Sequence, residues 1–324
     1  MYKESIYLST KVTIEFHRFC EHDRNNISLL PGIPMISVET LQSAISNVSV
    51  WRQGDICAPH KPLLLLYVLS QYKAGHPRLF NYGLEIHEPL TRLLKEFGPK
   101  RRTDYPNMPF WRLRTDGFWE IANAEGCKPR RGNTQPTKKE LIDNQVAGGF
   151  DEAAYQQLLA HPEMIDQLAQ QILIDRFPES IQRILANQLG LDFIDRSKNR
   201  DPRFRDIVLR AYHSRCAFCG YDLRLDGALV GIEAAHIHWK TYGGPCVVNN
   251  GLALCSLHHD AFDMGAFGLD ENLTIRISGG VSRSPVVDNL FWQRNGQQLH
   301  LPHDKSLWPT EQYVGWHRKQ IFKA

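Results

Sequence analysis

No stretch of this sequence is apolar for long enough to cross a bilayer. The densest run, PLLLLYVL at 62–69, is far shorter than the roughly 20 residues a spanning helix needs. The first residues, MYKESIYLSTKVTIEFHRFCEHDRNN, carry charges throughout and lack a continuous apolar core, so secretion is not indicated and a cytoplasmic location is expected. Cysteine is sparse: seven among 324 residues, an odd number, scattered except for Cys216, Cys219 and Cys255. That usage argues against a disulfide framework and turns attention to metal. Charge of one sign is also lacking, since the formal net charge is only +3, and any nucleic-acid partner must be sought in local clusters. There are no internal repeats and no low-complexity tracts. What remains, at 42% hydrophobic and 23% charged residues, is an ordinary globular chain long enough to bury two cores.

Patterning divides the chain into four parts. Residues 1–34 show no clear periodicity and end in the turn-rich LLPGIP, which marks them as an extension of the folded part. From 35 to 160 the spacing of ISVETLQSAISNV, KPLLLLYVLSQYKAG and LEIHEPLTRLLKEFGP predicts three helices, the second with Pro62 in its first turn and Gly75 near its end. MPFWRLRTDGFWEIAN then alternates bulky apolar with polar residues around Asp116-Gly117, a hairpin signal. Residues 161–200 read as a helical connector and 201–324 as a second domain that closes on the helical TEQYVGWHRKQIFKA. The expected class is α+β: a mixed helical and hairpin N-terminal domain, a helical connector and a C-terminal domain built around metal.

The metal signal is two-part. Cys216 and Cys219 form C-x2-C, and after 35 intervening residues Cys255 and His258 form C-x2-H. Two intervening residues make a knuckle tight enough to aim both ligands at one tetrahedral centre, and four ligands close it, so the spacing predicts a structural Zn2+. Between and beside these pairs lie residues such a site does not use: His236 after the strand-like VGIEAA, Asn250 opening NGLALC, and His259 on the helix expected over SLHHDAFD. A neutral imidazole beside a divalent cation is equipment for phosphodiester hydrolysis.

The fragments CAFCG, EAAHI and NNGLALCSLHHDAFDMGAF resemble the HNH nucleases, the ββα-metal fold. The resemblance implies that His236 is the general base, that Asn250 is a metal-site ligand or an orienter of that base, and that His259 is a ligand of a catalytic Mg2+ or Mn2+. One departure stands out. Many HNH proteins carry Asp or Glu before the first motif histidine, and here that position is Ala235. Glu233, His238, Asp260 and Asp263 are the candidates to compensate, although strand alternation sets Glu233 on the face opposite His236 and His238 reads as an exposed loop residue.

The first domain offers a reader for such a nuclease. In RRTDYPNMPFWRL a basic pair, Arg101 and Arg102, precedes Tyr105-Pro106, and Pro109 follows; PKRR at 99–102, KPRR at 128–131 and TKK at 137–139 add cations. Tyrosine with two prolines makes a rigid apolar dimple, while the cations hold a phosphate backbone. Sulfur in place of a non-bridging phosphate oxygen is larger and less hydrated, and an apolar dimple selects for it. The aromatic pairs Phe110-Trp111 and Phe118-Trp119 read as core. The same stretch resembles the DNA sulfur-binding domain found fused to HNH domains in type IV restriction endonucleases. By that resemblance Tyr105, Pro106 and Pro109 line the sulfur pocket, and His60, Lys61, Arg101, Arg102 and Arg131 contact backbone or nearby bases.

The resulting expectation is a modification-dependent restriction endonuclease acting on phosphorothioated double-stranded DNA and cutting at a distance, with a homodimer as one way to cut both strands. Two alternatives stay open: an HNH enzyme reading a methylated or hydroxymethylated base, which calls for a base-flipping pocket, and a DNA-binding module whose nuclease is disabled at Ala235.

Overall fold

The apolar run at 62–69 becomes the axis of the first core. Leu63, Leu64, Leu65, Leu66, Val68 and Leu69 are all buried, as they must be in a helix that is apolar all round. The computed structural model describes residues 37–49, 52–53, 56–57, 59–98, 103–128, 134–192 and 202–324. The expected extension 1–34 lies outside these.

The first part of the chain runs α1 (Val38–Ser46), β1 (Arg52–Gln53), β2 (Ile56–Cys57), α2 (His60–Lys73), β3 (Phe80–Asn81), a π-helical turn (Tyr82–Ile86), α3 (His87–Phe97), α4 (Asn107–Arg112), β4 (Trp119–Ala122), α5 (Lys138–Asp143), β5 (Ala147–Phe150), α6 (Glu152–Ala160), α7 (Glu163–Arg176) and α8 (Glu179–Leu189). Local chemistry sets the helix starts. Ser37 and Asp151 cap α1 and α6, and Thr137 with Glu140 forms a reciprocal capping box on α5. Strands β3, β5 and β4 form one antiparallel sheet with β5 in the middle. Helices α7 and α8, in the stretch read as a connector, bury Leu168, Ala169, Ile172, Leu173, Ile181 and Leu185 in this same core, with α7 packed along α2.

The hairpin expected around Asp116-Gly117 does not form. Residues 107–112 are helical, a 3-10 turn over Leu113–Thr115 follows, and β4 pairs with β5 instead. Pro109 falls in the first turn of α4, where a missing amide hydrogen costs nothing, and Phe110 and Leu113, three apart, share a fully buried helix face. Trp111, Phe118 and Trp119 are buried as expected.

The second part runs α9 (Pro202–Ala211), β6 (Arg224–Leu225), β7 (Ala228–Leu229), β8 (Ile232–His236), β9 (Gly251–Cys255), α10 (Ser256–Asp263), β10 (Phe267–Leu269), β11 (Ile275–Ile277), α11 (Pro285–Leu290) and α12 (Glu311–Gln320). Strands β8 and β9 pair antiparallel from Ile232 opposite Cys255 to His236 opposite Gly251. Helices α9 and α10 both pack on this ribbon, the α9 side requiring Gly251: a Cβ there would come within 2.4 Å of Val208. Residues 36–324 form one packed unit, and side chains lock the two cores together. Trp239, Trp316 and Ile321 of the second part are buried in the first core. The Lys323 ammonium donates to the carbonyls of Lys95, Glu96 and Gly98 at 2.7, 3.0 and 2.9 Å, satisfying orphan acceptors at the end of α3. No helix among the described residues is long and apolar enough to cross a membrane.

His317 on α12 illustrates how dry this packing is. Its ring stacks on Phe262 at 3.7 Å and its Nε2–H donates to the Phe262 carbonyl at 3.0 Å. Burial pushes its pKa down to about 4, outweighing that carbonyl. The ring therefore stays neutral in the fold while the unfolded chain takes up a proton below about pH 6.5, so its contribution to stability is lost as pH falls from about 6.5 towards 4. We expect His317→Gln, which keeps an N–H donor, to remove about 2–3 kcal/mol of the stability lost between pH 7.5 and pH 4.5, read by urea unfolding of wild type and variant at both values.

Candidate functional site

The two cysteine pairs meet. Cys216, Cys219, Cys255 and His258 present one ligand atom each within 4.8 Å of one another, with His258 Nδ1 3.1 Å from Cys255 Sγ and 3.7 Å from Cys216 Sγ. The first pair sits on a knuckle in which Gly220, at φ +79°, donates to the Cys216 carbonyl. The second pair spans a junction: Cys255 ends β9 and caps α10, which places His258 in the helix's first turn. His258 Nε2 donates to the Leu290 carbonyl at 3.3 Å, which turns the lone pair of Nδ1 towards the thiols. So close together these groups do not titrate alone. Cys219 is pulled down by hydrogen bonds from Cys216 and Cys255, and Cys216 is pushed up by the same contact with Cys219. Burial disfavours charge on His258, yet Cys219 and Cys255 raise it to about 9. Three thiols and an imidazole sharing protons at this spacing fit a tetrahedral soft-metal site, where the ion takes the place of those protons.

His236 closes the β8–β9 ladder. Its ring lies flat on Phe204 of α9, centroids 3.8 Å apart, with Nε2 3.5 Å from the Cys246 Sγ. Asn250 is fully buried and its amide is committed to backbone: Oδ1 accepts from His238 N at 2.8 Å, and Nδ2 donates to the carbonyls of His238 and Pro245, both at 2.9 Å. This makes Asn250 a clamp on the loop that leaves His236 and returns through Cys246. His238, read as an exposed loop residue, is instead buried, stacked on Trp316 at 4.3 Å and 3.2 Å from the Tyr242 carbonyl. The clamp draws its backbone inward and leaves the ring no route to solvent.

His259 lies between two carboxylates. Nδ1 is 2.6 Å from Glu233 Oε2 and Nε2 is 3.2 Å from Asp263 Oδ2. Burial alone would lower its pKa, but Asp263 and Glu233 hold it up at about 10. Asp263 is the fourth residue beyond His259 and shares its helix face. Glu233 reaches α10 from β8, its other oxygen accepting from Ser256 Oγ at 3.0 Å. Hard oxygens flanking one imidazole suit Mg2+ or Mn2+. As alternation predicts, Glu233 shares a face with Ala235 and lies opposite His236, which faces α9. Two contacts escaped the sequence reading. Ser180 of α8 donates to Asp263 Oδ2, and Trp239 Nε1 donates to Oδ1 at 2.8 Å.

In the first domain the expected DNA-facing residues divide. Tyr105 is 48% exposed, whereas Pro106 and Pro109 are buried at the start of α4. Lys61 is buried in an ion pair with Asp116 at 2.6 Å and donates to Ser49 Oγ at 2.8 Å. Its charge is thus neutralised inside the protein, contrary to the expected backbone contact. His60 opens α2 and is half-buried. Arg101, Arg102 and Arg131 lie outside the described residues.

Comparison with known proteins matches both halves. Residues 216–270 fit the family model of the HNH endonucleases. Residues 38–194 fit that of the ScoMcrA-like DNA sulfur-binding domain. The chain therefore combines a DNA sulfur-binding domain with an HNH endonuclease domain. Among solved structures, the sulfur-binding domain of ScoMcrA complexed with phosphorothioated DNA is 25% identical with a TM-score of 0.37, over 42% of this chain and 85% of that one. The type IV phosphorothioation-dependent restriction endonuclease ScoMcrA is 24% identical with a TM-score of 0.39, over 47% of this chain and 34% of that one. This chain thus spans about a third of that enzyme's length. The modification-dependent TagI restriction endonuclease is 22% identical with a TM-score of 0.28, over 41% of each chain. No curated protein matches.

The thiol cluster makes a direct prediction. Elemental analysis of the purified protein should find about one zinc per chain, and Cys219→Ser should lose it together with several degrees of melting temperature. Full zinc retention in that variant would show that the ion sits elsewhere.

Proposed function

We propose that this chain is a phosphorothioation-dependent restriction endonuclease: its sulfur-binding domain docks on phosphorothioated double-stranded DNA, and its HNH domain hydrolyses a phosphodiester near the mark. The observation that carries this reading is the fusion of the two matched domains in one chain, and the pairing of His259 with Glu233 supports it. The reading domain takes in the helices of 161–192, since they share its core, and the nuclease domain occupies 201–324. Zn2+ on Cys216, Cys219, Cys255 and His258 is structural. A homodimer would present two centres to the two strands, and a cytoplasmic location goes with the substrate.

In the reaction a water oxygen attacks phosphorus, the bond to the leaving oxygen breaks, and His236 accepts the water's proton. Phe204 and Cys246 fix the plane of that imidazole, and Asn250 holds the loop behind it. His259 and Glu233 would hold the divalent ion, Mg2+ or Mn2+, which when bound supplies charge stabilisation at the phosphorane and the leaving oxygen. Tyr105 offers its exposed ring to the sulfur-bearing phosphate, with Pro106 and Pro109 as the rigid floor beneath it. Arg101, Arg102, Arg131 and His60 supply the sequence-independent attraction.

The test compares matched duplexes, one phosphorothioated and one plain, with Mg2+ or Mn2+. Wild type should cut only the marked duplex, and His236→Ala should lose roughly 100-fold or more in rate while still binding it. Tyr105→Ala should weaken binding of the marked duplex and leave the plain one unchanged. Equal cutting of both duplexes by wild type would overturn the sulfur dependence.

A further inference from the structure

The nuclease centre includes a side chain from the other domain. Ser180, near the start of α8, is buried and donates its hydroxyl to Asp263 Oδ2. Asp263 is spoken for on every side: Oδ1 accepts from Trp239 Nε1 at 2.8 Å, and Oδ2 accepts from Ser180 and faces His259 Nε2 at 3.2 Å. Its side chain is 2% exposed. Glu233, on the other side of the same imidazole, is 26% exposed; one oxygen accepts from Ser256 and the other lies 2.6 Å from His259 Nδ1. The two carboxylates therefore play different parts. A buried carboxylate saturated by donors fixes the plane of a ligand imidazole; a more exposed one beside the opposite nitrogen can share an ion with that nitrogen once the ion replaces the proton between them.

We propose that Ser180 of the DNA-reading domain is a positioning residue of the nuclease centre: through Asp263 it holds the Nε2–H side of His259 in place, so that Nδ1, beside Glu233, is the nitrogen at which the divalent ion replaces a proton. This rests on the HNH reading of His259. The hydroxyl works with Trp239, which belongs to the loop following His236 and is itself buried in the first core. Both donors to Asp263 thus depend on the docking of the two domains. Separating α8 from α10 removes a hydrogen bond from a carboxylate with no solvent to replace it, and His259 loses its fixed partner. The DNA-reading domain then contributes to metal affinity as well as to target choice.

The experiment measures Mn2+ binding to the full chain by electron paramagnetic resonance of free Mn2+, without DNA, for wild type, Ser180→Ala and Ser180→Thr. Binding of the phosphorothioated duplex is measured alongside, with no divalent ion added. Ser180→Ala should weaken Mn2+ binding about tenfold, the usual effect of losing an outer partner of a ligand, while duplex binding stays at the wild-type level. Ser180→Thr, which keeps the hydroxyl, should restore Mn2+ affinity. Unchanged Mn2+ affinity in Ser180→Ala overturns the proposal. So does joint loss of Mn2+ and duplex binding, which reports damaged packing, or failure of threonine to restore. Should Ser180→Ala not fold, Trp239→Phe removes the donor to the other oxygen, and unchanged affinity there is equally fatal. A wild type that binds Mn2+ but never cuts DNA would sink the nuclease reading and leave this measurement standing.

Discussion

Three thiols and one imidazole, drawn from two points 35 residues apart in the chain, decide where β9 stops and α10 begins. Cys255 belongs to both elements, and its convergence with Cys216 and Cys219 fixes the direction in which α10 leaves the strand. His259 inherits that direction. His259 follows His258 by one residue, and about 100° of helical rotation turns it from the knot towards Glu233 on β8. Apolar packing alone is not directional, and a tetrahedral ion on these four ligands would fix that angle. The thiol cluster and the His259–Glu233 pair are thus two faces of a single helical turn.

Beyond that helix, the arrangement depends on polar groups that bond across the two cores. Lys323 caps α3 immediately before the basic stretch 99–102, and Ser180 and Trp239 converge on Asp263. Buried polar atoms tolerate little displacement, because each broken bond leaves a donor or acceptor away from water. A tethered nuclease would scatter its cuts over the reach of the linker. A nuclease whose centre is completed by the reading domain has its offset from the mark set by protein geometry.

What the sequence disclosed and what it hid follow one rule of range. The C-x2-C and C-x2-H pairs, the order of His236, Asn250 and His259, and the helices over α1, α2 and α3 are local signals, readable from spacing. The stretch 108–123 misled because Phe110, Trp111 and Leu113 are dense enough to satisfy either period, and the decision fell to Pro109 at a helix start and to the partner β4 finds in β5. Lys61 looked like a DNA contact until Asp116, distant in sequence, neutralised it. His238 looked exposed because nothing nearby announces that Asn250 will pull its backbone inward. Ser180 carried no signal at all, since its partner lies 83 residues away and a single serine on a helix has no distinguishing pattern.

Ala235 is the point at which a disabled nuclease would be suspected, and the geometry around it argues the other way. Ala235 is fully buried, so a carboxylate at that position would need a cavity this packing lacks. Glu233, two residues earlier, lies on the same face of β8, displaced by about 6.6 Å along the strand, and makes up the distance with a longer side chain. Its two oxygens are held separately, one by Ser256 and one at His259, both on α10. A partly buried glutamate anchored to the helix that carries the motif histidine is placed to act with that histidine. Two residues from the position where the resemblance expects an acid, this strand thus sets a carboxylate oxygen 2.6 Å from the motif imidazole.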